Sequence, residues 1–191
     1  MTLILASTSP IRVALLTGAG VTFTAAAPAV DEDALKHAHE GDSDSLALAL
    51  AEAKARSLDG PGDVVIGSDS TLEVEGTLYS KPRDRSEAAR HLAAFSGKTM
   101  VLSSAVALAR DGLVEWRTVD RAMLNVRTLS TEFIDAYLDA EWPQIAYCVG
   151  VFRMEGRGVS LFDAVEGDHF TILGLPLLPL LGALRARGLA E

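Results

Sequence analysis

Val64-Val65-Ile66 is the stretch that most restricts what this chain can fold into. Three apolar residues in succession leave no alternation between core and solvent. The segment Asp63 to Ser68 therefore reads as a strand buried on both faces, which requires cover on each side of its sheet. The run stops at Gly67-Ser68-Asp69, which places the Asp69 carboxylate at the carboxyl end of a strand. Open α/β sheets bind their ligands at such ends.

Helical and extended signals alternate around that strand. Leu3 to Ala6 is a short apolar run, and Ser9-Pro10 then supplies an N-cap and a proline at the first helical position. The helix carries Val13, Leu15 and Leu16 and ends by Gly18 or Gly20, with Val21 to Ala25 extended after it. The acidic run Asp31-Glu32-Asp33 after Pro28 reads as a loop. Ser45 to Leu58 has Leu46, Leu50 and Ala53 at helical spacing, carries Lys54 in its later turns, and stops at Gly60-Pro61-Gly62. Lys81-Pro82 closes the next excursion, and Asp84 with Glu87 opens a helix through Phe95 in the manner of a capping box. Met100 to Ala109 and Leu113 to Val126 read as long strands joined by a tight Asp111-Gly112 turn. Ser130 caps a helix with Phe133, Ile134, Tyr137 and Leu138; a strand near Val159 to Phe162 and a last helix from about Pro176 to Arg187 complete the chain. This mixture predicts an α/β fold with a twisted mixed sheet.

The 191 residues, 49% of them hydrophobic, suffice for one sizeable core and imply a single domain with room for two lobes. A net charge of -9 argues against a broad basic surface for nucleic acid or an anionic membrane, so any phosphate ligand must be met by a small local cluster. With one cysteine, Cys148, no intramolecular disulfide forms; nothing at the start resembles a signal peptide, and the expected compartment is the cytoplasm. The apolar run Thr171 to Leu184 is too short to span a bilayer and contains Pro176 and Pro179.

Several residues are candidates for chemistry, each with an ordinary structural alternative. Ser7-Thr8-Ser9-Pro10-Ile11-Arg12 offers hydroxyls, backbone amides and a guanidinium for an anion, or simply a helix cap. Asp69 can hold a divalent cation and Lys81 can neutralise phosphate oxygens, or they are a turn aspartate and a surface lysine. Glu32 can be a metal ligand or general base, or part of a solvated loop. Lys54 on an amphipathic helix ordinarily faces solvent. His37 and His39 read as surface residues, and Cys148 as a small packing residue. Gly150 to Gly158, with Glu155, is a base-reading loop or a sharp connection, and Gly174-Leu175-Pro176 a helix entry whose backbone can approach a ligand.

Taken in order, these pieces resemble the Maf family of nucleoside triphosphate pyrophosphatases from about Leu3 to Leu184. Leu5-Ala6-Ser7-Thr8-Ser9-Pro10-Ile11-Arg12 resembles its phosphate-binding signature. Val30-Asp31-Glu32, Glu52-Ala53-Lys54-Ala55, Gly67-Ser68-Asp69, Ser80-Lys81-Pro82, Leu92 to Lys98, Glu155-Gly156, Gly167-Asp168 and Gly174-Leu175-Pro176-Leu177 follow in family order. The resemblance implies an elongated single α/β domain with two lobes and a central cleft, and metal-dependent cleavage of the alpha-beta phosphoanhydride with Mg or Mn. It assigns Ser7, Ser9, Arg12, Lys54 and Lys81 to the triphosphate, and Glu32 and Asp69 to metal binding and water activation, with Asp69 as general base. Ser70 and Glu155 are further substrate contacts. Gly67-Ser68-Asp69, Cys148 and Glu155-Gly156 are more similar to the branch acting on 7-methyl-GTP than to that acting on dTTP and UTP. Ile11 departs from the tryptophan of the first branch and the arginine of the second, and Ser70 from the usual glutamine or threonine. The expected partner is the nucleotide, without nucleic acid or membrane, and a homodimer is compatible. The competing readings are a dTTP/UTP enzyme of the same family, a hydrolase of damaged purine triphosphates, and a non-catalytic nucleotide-binding regulator of cell division.

Overall fold

The computed structural model describes residues 2–58, 60 and 62–191. Its strands are β1 (Leu3–Ala6), β2 (Thr24–Ala26), β3 (Val64–Val74), β4 (Thr77–Tyr79), β5 (Thr99–Arg110), β6 (Leu113–Val126) and β7 (Phe162–Glu166). Its helices are α1 (Pro10–Gly18), α2 (Glu32–Ala38), α3 (Ser43–Arg56), α4 (Arg85–Phe95), α5 (Thr131–Glu141), α6 (His169–Ile172) and α7 (Leu177–Arg185), with a 3-10 turn at Arg157–Leu161. The strands form one sheet in the order β2-β1-β3-β5-β6-β7, with β4 on β3. β1 runs parallel to β2 and β3, whereas the β3–β4 and β6–β7 pairs are antiparallel. The sheet is therefore mixed and the fold α/β, as the sequence predicts.

The chain divides into two compact units: residues up to Ser70 with Ser103–Asp120 and Asp168–Glu191, and Thr71–Leu102 with Arg121–Gly167. In the first, strand alternation sorts the core by face. Leu3, Leu5, Val64, Ile66, Val106 and Leu108 pack with Leu16 of α1 and Leu180, Ala183 and Leu184 of α7. The alternate residues Ala105, Ala107 and Ala109 of β5 meet Ala47, Ala51 and Ala55 of α3. Both faces of these strands are thus covered, which is what Val64-Val65-Ile66 demands. In the second unit α4 packs against α5, with Leu92, Phe95, Ile134 and Leu138 buried. There Tyr79 meets Phe95 edge to face at 4.7 Å, and the Tyr137 hydroxyl donates to the carbonyl of Val151 at 2.9 Å.

Several local expectations are met. Asp111 and Gly112 have φ of 49° and 75°, the left-handed pair that the β5–β6 turn requires. Ser130 Oγ accepts from Phe133 N at 3.2 Å, and Asp84 Oδ1 from Glu87 N at 2.7 Å. Others are corrected. Asp69 is not at the end of its strand, because β3 continues to Val74. The strand that ends there is β1, whose last partner pair is Ala6 with Gly67. The acidic run is not a loop: Asp31 caps α2 by accepting from Ala34 N at 3.0 Å, and Glu32 and Asp33 occupy its first turn, where the helix dipole favours them. α3 begins at Ser43 rather than Ser45, capped by Asp42, and β2 covers only Thr24–Ala26. Val159 to Leu161 is part of the 3-10 turn, and the strand starts at Phe162. β4 and α6 are additional short elements, and the last helix is Leu177–Arg185. In the Gly60-Pro61-Gly62 stop, Pro61 lies outside the described residues. Among the described residues no helix is long and apolar enough to cross a membrane.

Candidate active site

The same alternation that sorts the core places the polar residues beyond the end of β1. Val65, Gly67 and Asp69 share the face of β3 that meets α3, while Ile66, Ser68 and Ser70 share the other. Gly67 is what lets α3 come close: a Cβ there would stand 2.1 Å from the carbonyl oxygen of Ala51 and 2.3 Å from the amide nitrogen of Ala55. The turn between those residues carries Lys54, whose side chain is consequently buried, 5% exposed, rather than solvated. Its ammonium donates to Asp69 Oδ1 at 2.5 Å and lies 2.8 Å from Glu32 Oε1. α2, with Glu32 as its first residue, thus delivers a second carboxylate to the same ammonium.

Arg12 lies on the other face. It is buried, and its guanidinium donates from Nε to the Gly174 carbonyl at 2.8 Å, from Nη1 to the Ser68 carbonyl at 2.9 Å and from Nη2 to Ser70 Oγ at 3.2 Å. Burial pulls this guanidinium below its ordinary pKa, while Asp69 and Glu32 pull the other way. The carboxylate pair and Arg12 therefore feel one another past the end of β1. Gly174, at φ 90°, turns its carbonyl toward Arg12 and Ser68, whose hydroxyl also donates to it at 3.1 Å. The approach expected of this backbone is thus made to side chains of the chain itself. Ser7 is buried and its Oγ accepts from Ser9 N at 3.2 Å, whereas Ser9, the N-cap residue of α1, makes no side-chain cap bond. The cap bond read for the Ser9 side chain is thus not made, and Ser7 instead holds the backbone amide of the N-cap residue.

Three residues of this unit carry no signal in the sequence. Ser104, fully buried, shares a 2.9 Å hydrogen bond with Ser70 and donates to the Thr171 carbonyl at 2.8 Å; Thr171 Oγ1 in turn donates to Asp120 Oδ2 at 2.7 Å. They come from β5, α6 and β6, so no local spacing links them. Only Gly167-Asp168 hinted at the region: Asp168 Oδ1 accepts from the amides of Phe170 and Thr171.

In the second unit Lys81 and Glu155 are both exposed. Both act electrostatically on Cys148, whose thiol is pushed up to about 11, first by burial and then by Glu155, against Arg153 and Lys81. That thiol is a protonated packing group, as expected. Arg153 is tied to the buried Glu141 at 2.9 Å, which anchors the loop carrying Glu155. His37 bonds the Asp33 carbonyl and His39 the Ser45 hydroxyl.

Among the described residues no group of three or more His, Cys, Asp or Glu side chains gathers as a metal cage. What the chain offers is two carboxylates that already meet at one ammonium. Mg2+ is ordinarily held by one or two carboxylates, with water and substrate phosphates completing its shell, and this donor set fits that habit.

The family model described as Maf-like protein matches residues 2–187. A protein of Nitrobacter hamburgensis named nucleoside triphosphate pyrophosphatase is 47% identical over 190 residues, 98% of this chain and 94% of its own length. One of Rhizobium meliloti named 7-methyl-GTP pyrophosphatase is 48% identical over 191 residues, 97% and 96% of the two chains. One of Sphingopyxis alaskensis named nucleoside triphosphate pyrophosphatase is 46% identical over 196 residues, 100% and 99%. The ordered motifs, the shared Lys54 contact of Glu32 and Asp69, and similarity running through nearly all of both chains agree: this chain belongs to the Maf family.

Proposed function

We propose that the protein hydrolyses a nucleoside triphosphate between its α and β phosphates, releasing the nucleoside monophosphate and pyrophosphate, with Mg2+ or Mn2+ as cofactor. The observation that carries this reading is the buried Lys54 ammonium held between Asp69 and Glu32 in a chain of this family. Lys54 occupies Oδ1 of Asp69, fixing the carboxylate and leaving Oδ2 to take a proton from the attacking water. The water oxygen bonds to the α phosphorus, the bond from that phosphorus to the bridging oxygen breaks, and pyrophosphate departs. Lys54 offsets charge on the phosphate oxygens, Arg12 offers them its two N–H groups not spent on the protein, and the exposed Lys81 adds a further positive charge. Glu32 and Asp69 would hold the divalent cation, which would supply Lewis-acid stabilisation of the leaving group.

The same reading makes Glu155 the base reader and 7-methyl-GTP or GTP the preferred substrate. A carboxylate accepts both adjacent donors of the guanine edge, N1–H and the exocyclic amine, and methylation at N7 adds a positive charge that attracts it. Thymine and uracil present an acceptor that a carboxylate cannot satisfy. Incubation with a panel of triphosphates and Mg2+ or Mn2+, followed by chromatography, tests the proposal. Pyrophosphate and monophosphate are expected, with loss of turnover in chelator. Orthophosphate and diphosphate as first products, or no turnover of any triphosphate, refute it.

A further inference from the structure

We infer that Ser104 is a positioning residue that sets the Arg12 guanidinium through Ser70, and that Ser70 acts as the relay in this chain rather than as a hydrogen-bond donor to phosphate. The inference deepens the proposed function and rests on its assignment of Arg12 to the triphosphate.

The argument is a count of protons. A serine hydroxyl has one hydrogen to give and two lone pairs to receive. Ser104 Oγ lies 2.8 Å from the carbonyl oxygen of Thr171, which can only accept, so the single Ser104 proton is committed there. The 2.9 Å contact between Ser104 and Ser70 then has only one donor left, the Ser70 hydroxyl. With its proton committed to Ser104, Ser70 Oγ is an acceptor to everything else, and Arg12 Nη2 is the donor that uses it at 3.2 Å. Every bond therefore runs in one direction, from Arg12 to Ser70 to Ser104 to the Thr171 carbonyl, the arrangement in which each bond polarises the next.

The far end of the chain is fixed. Thr171 is fully buried, its amide bonds to Asp168 and its hydroxyl to Asp120. The near end is fixed by shape, because a Cβ on Gly174 would stand 3.3 Å from Ser70 Oγ and 3.5 Å from Arg12 Nη2. A guanidinium has five N–H donors. Three of those of Arg12 are taken by Gly174, Ser68 and Ser70, so the plane of the group, and hence the direction of the remaining two, is set by these acceptors. Two of the three are backbone carbonyls that no side-chain replacement removes. Ser70 is the adjustable one, and Ser104 decides which way its proton points. Without Ser104 the Ser70 hydroxyl rotates, and its hydrogen competes with Arg12 for the same space.

The test measures affinity for tripolyphosphate and, separately, for guanosine, in Mg2+ by calorimetry on the full chain. Ser104→Ala is expected to weaken tripolyphosphate about tenfold, roughly 1.4 kcal/mol, and to leave guanosine within twofold. Ser70→Ala should match it, Ser70→Thr, which keeps the hydroxyl, should bind as the unaltered protein does, and the double Ser70→Ala/Ser104→Ala variant should be no worse than Ser70→Ala alone. A double variant weakened by the product of the two single effects overturns the relay, as does equal weakening of guanosine. Should Ser104→Ala fail to fold, the Ser70 pair decides: tripolyphosphate binding by Ser70→Ala equal to that of the unaltered protein refutes the inference, and a tenfold loss restored by Ser70→Thr supports it. These binding measurements need no turnover. Absence of pyrophosphate release by the unaltered protein would therefore count against the proposed function and not against the relay.

Discussion

Adding one methyl group at Gly67 should separate the Lys54 ammonium from the Asp69 carboxylate without touching either. The Cβ of Gly67→Ala would meet the Ala51 carbonyl oxygen at 2.1 Å and the Ala55 nitrogen at 2.3 Å, both of them backbone atoms of α3 with no rotamer to yield. Van der Waals contact begins near about 3.5 Å, so α3 must withdraw by roughly 1 Å or more. Lys54 lies between those two residues, and its 2.5 Å bond to Asp69 spans the same gap. Overpacking of this kind costs about 1–3 kcal/mol, while misplacement by about 1 Å at a reacting centre costs on the order of a hundredfold in rate. The expected result is a folded protein, somewhat less stable in urea, whose pyrophosphate release at saturating triphosphate falls about a hundredfold. Leu138→Ala, a cavity in α5 costing about 2–5 kcal/mol, is the control for destabilisation alone. Gly67→Ala turnover within threefold of the unaltered protein, or no lower than that of Leu138→Ala, would refute the argument that the close approach of α3 sets the site.

Asp69→Asn keeps the side-chain shape but removes the proposed proton acceptor and a negative charge, so turnover should drop by about a hundredfold or more while circular dichroism is unchanged; a near-normal rate removes Asp69 from the mechanism. Glu155→Gln should shift the ratio of specificity constants from guanine nucleotides toward UTP or dTTP by roughly tenfold, about 1.4 kcal/mol, and an unaltered ratio in competition assays would return the loop to a structural role. Cys148 titrates up at about 11 instead of 9.0 because burial, then Glu155, disfavours its thiolate. The folded state holds the protonated form, so its contribution to stability is complete below pH 9 and is lost as pH rises toward 11. Alkylation by iodoacetamide should accordingly show its midpoint near pH 11, lower in Glu155→Gln; an ordinary midpoint near 9 contradicts the burial of the thiol.

Elements whose signals are local were legible in the chain. A β3 core with no alternation, a turn that needs two left-handed residues and a serine followed by an amphipathic helix each state their own conformation. Asp31-Glu32-Asp33 did not, because an acidic cluster suits a solvated loop and the first turn of a helix equally, and the choice falls to packing around α2. Lys54 was legible only through its motif. Its own helix marks it as a surface charge, and its burial follows from a glycine 13 positions later in another element. Asp69 was found for a reason that needed revising, since the strand end beside it belongs to β1. Ser104, Thr171 and Asp120 had no reading as site residues, because what unites them is the direction of hydrogen bonds between elements distant in sequence.

The buried centre of the seam between α3 and β5 is built from methyl groups, Ala47, Ala51 and Ala55 against Ala105, Ala107 and Ala109, with Leu48, Val114 and Val119 packed at its margin. Alanine has no side-chain torsion to freeze, so this contact loses no rotamer entropy on folding. For the same reason it has no means of absorbing displacement by reorienting side chains, as a leucine seam does. Helix and strand can part only as whole bodies, and the position of Lys54 over Asp69 is therefore held by backbone separation. Substitution in the seam is accordingly one-sided: any residue larger than alanine widens the gap, and glycine leaves the gap as it is while weakening the helix or strand that carries it.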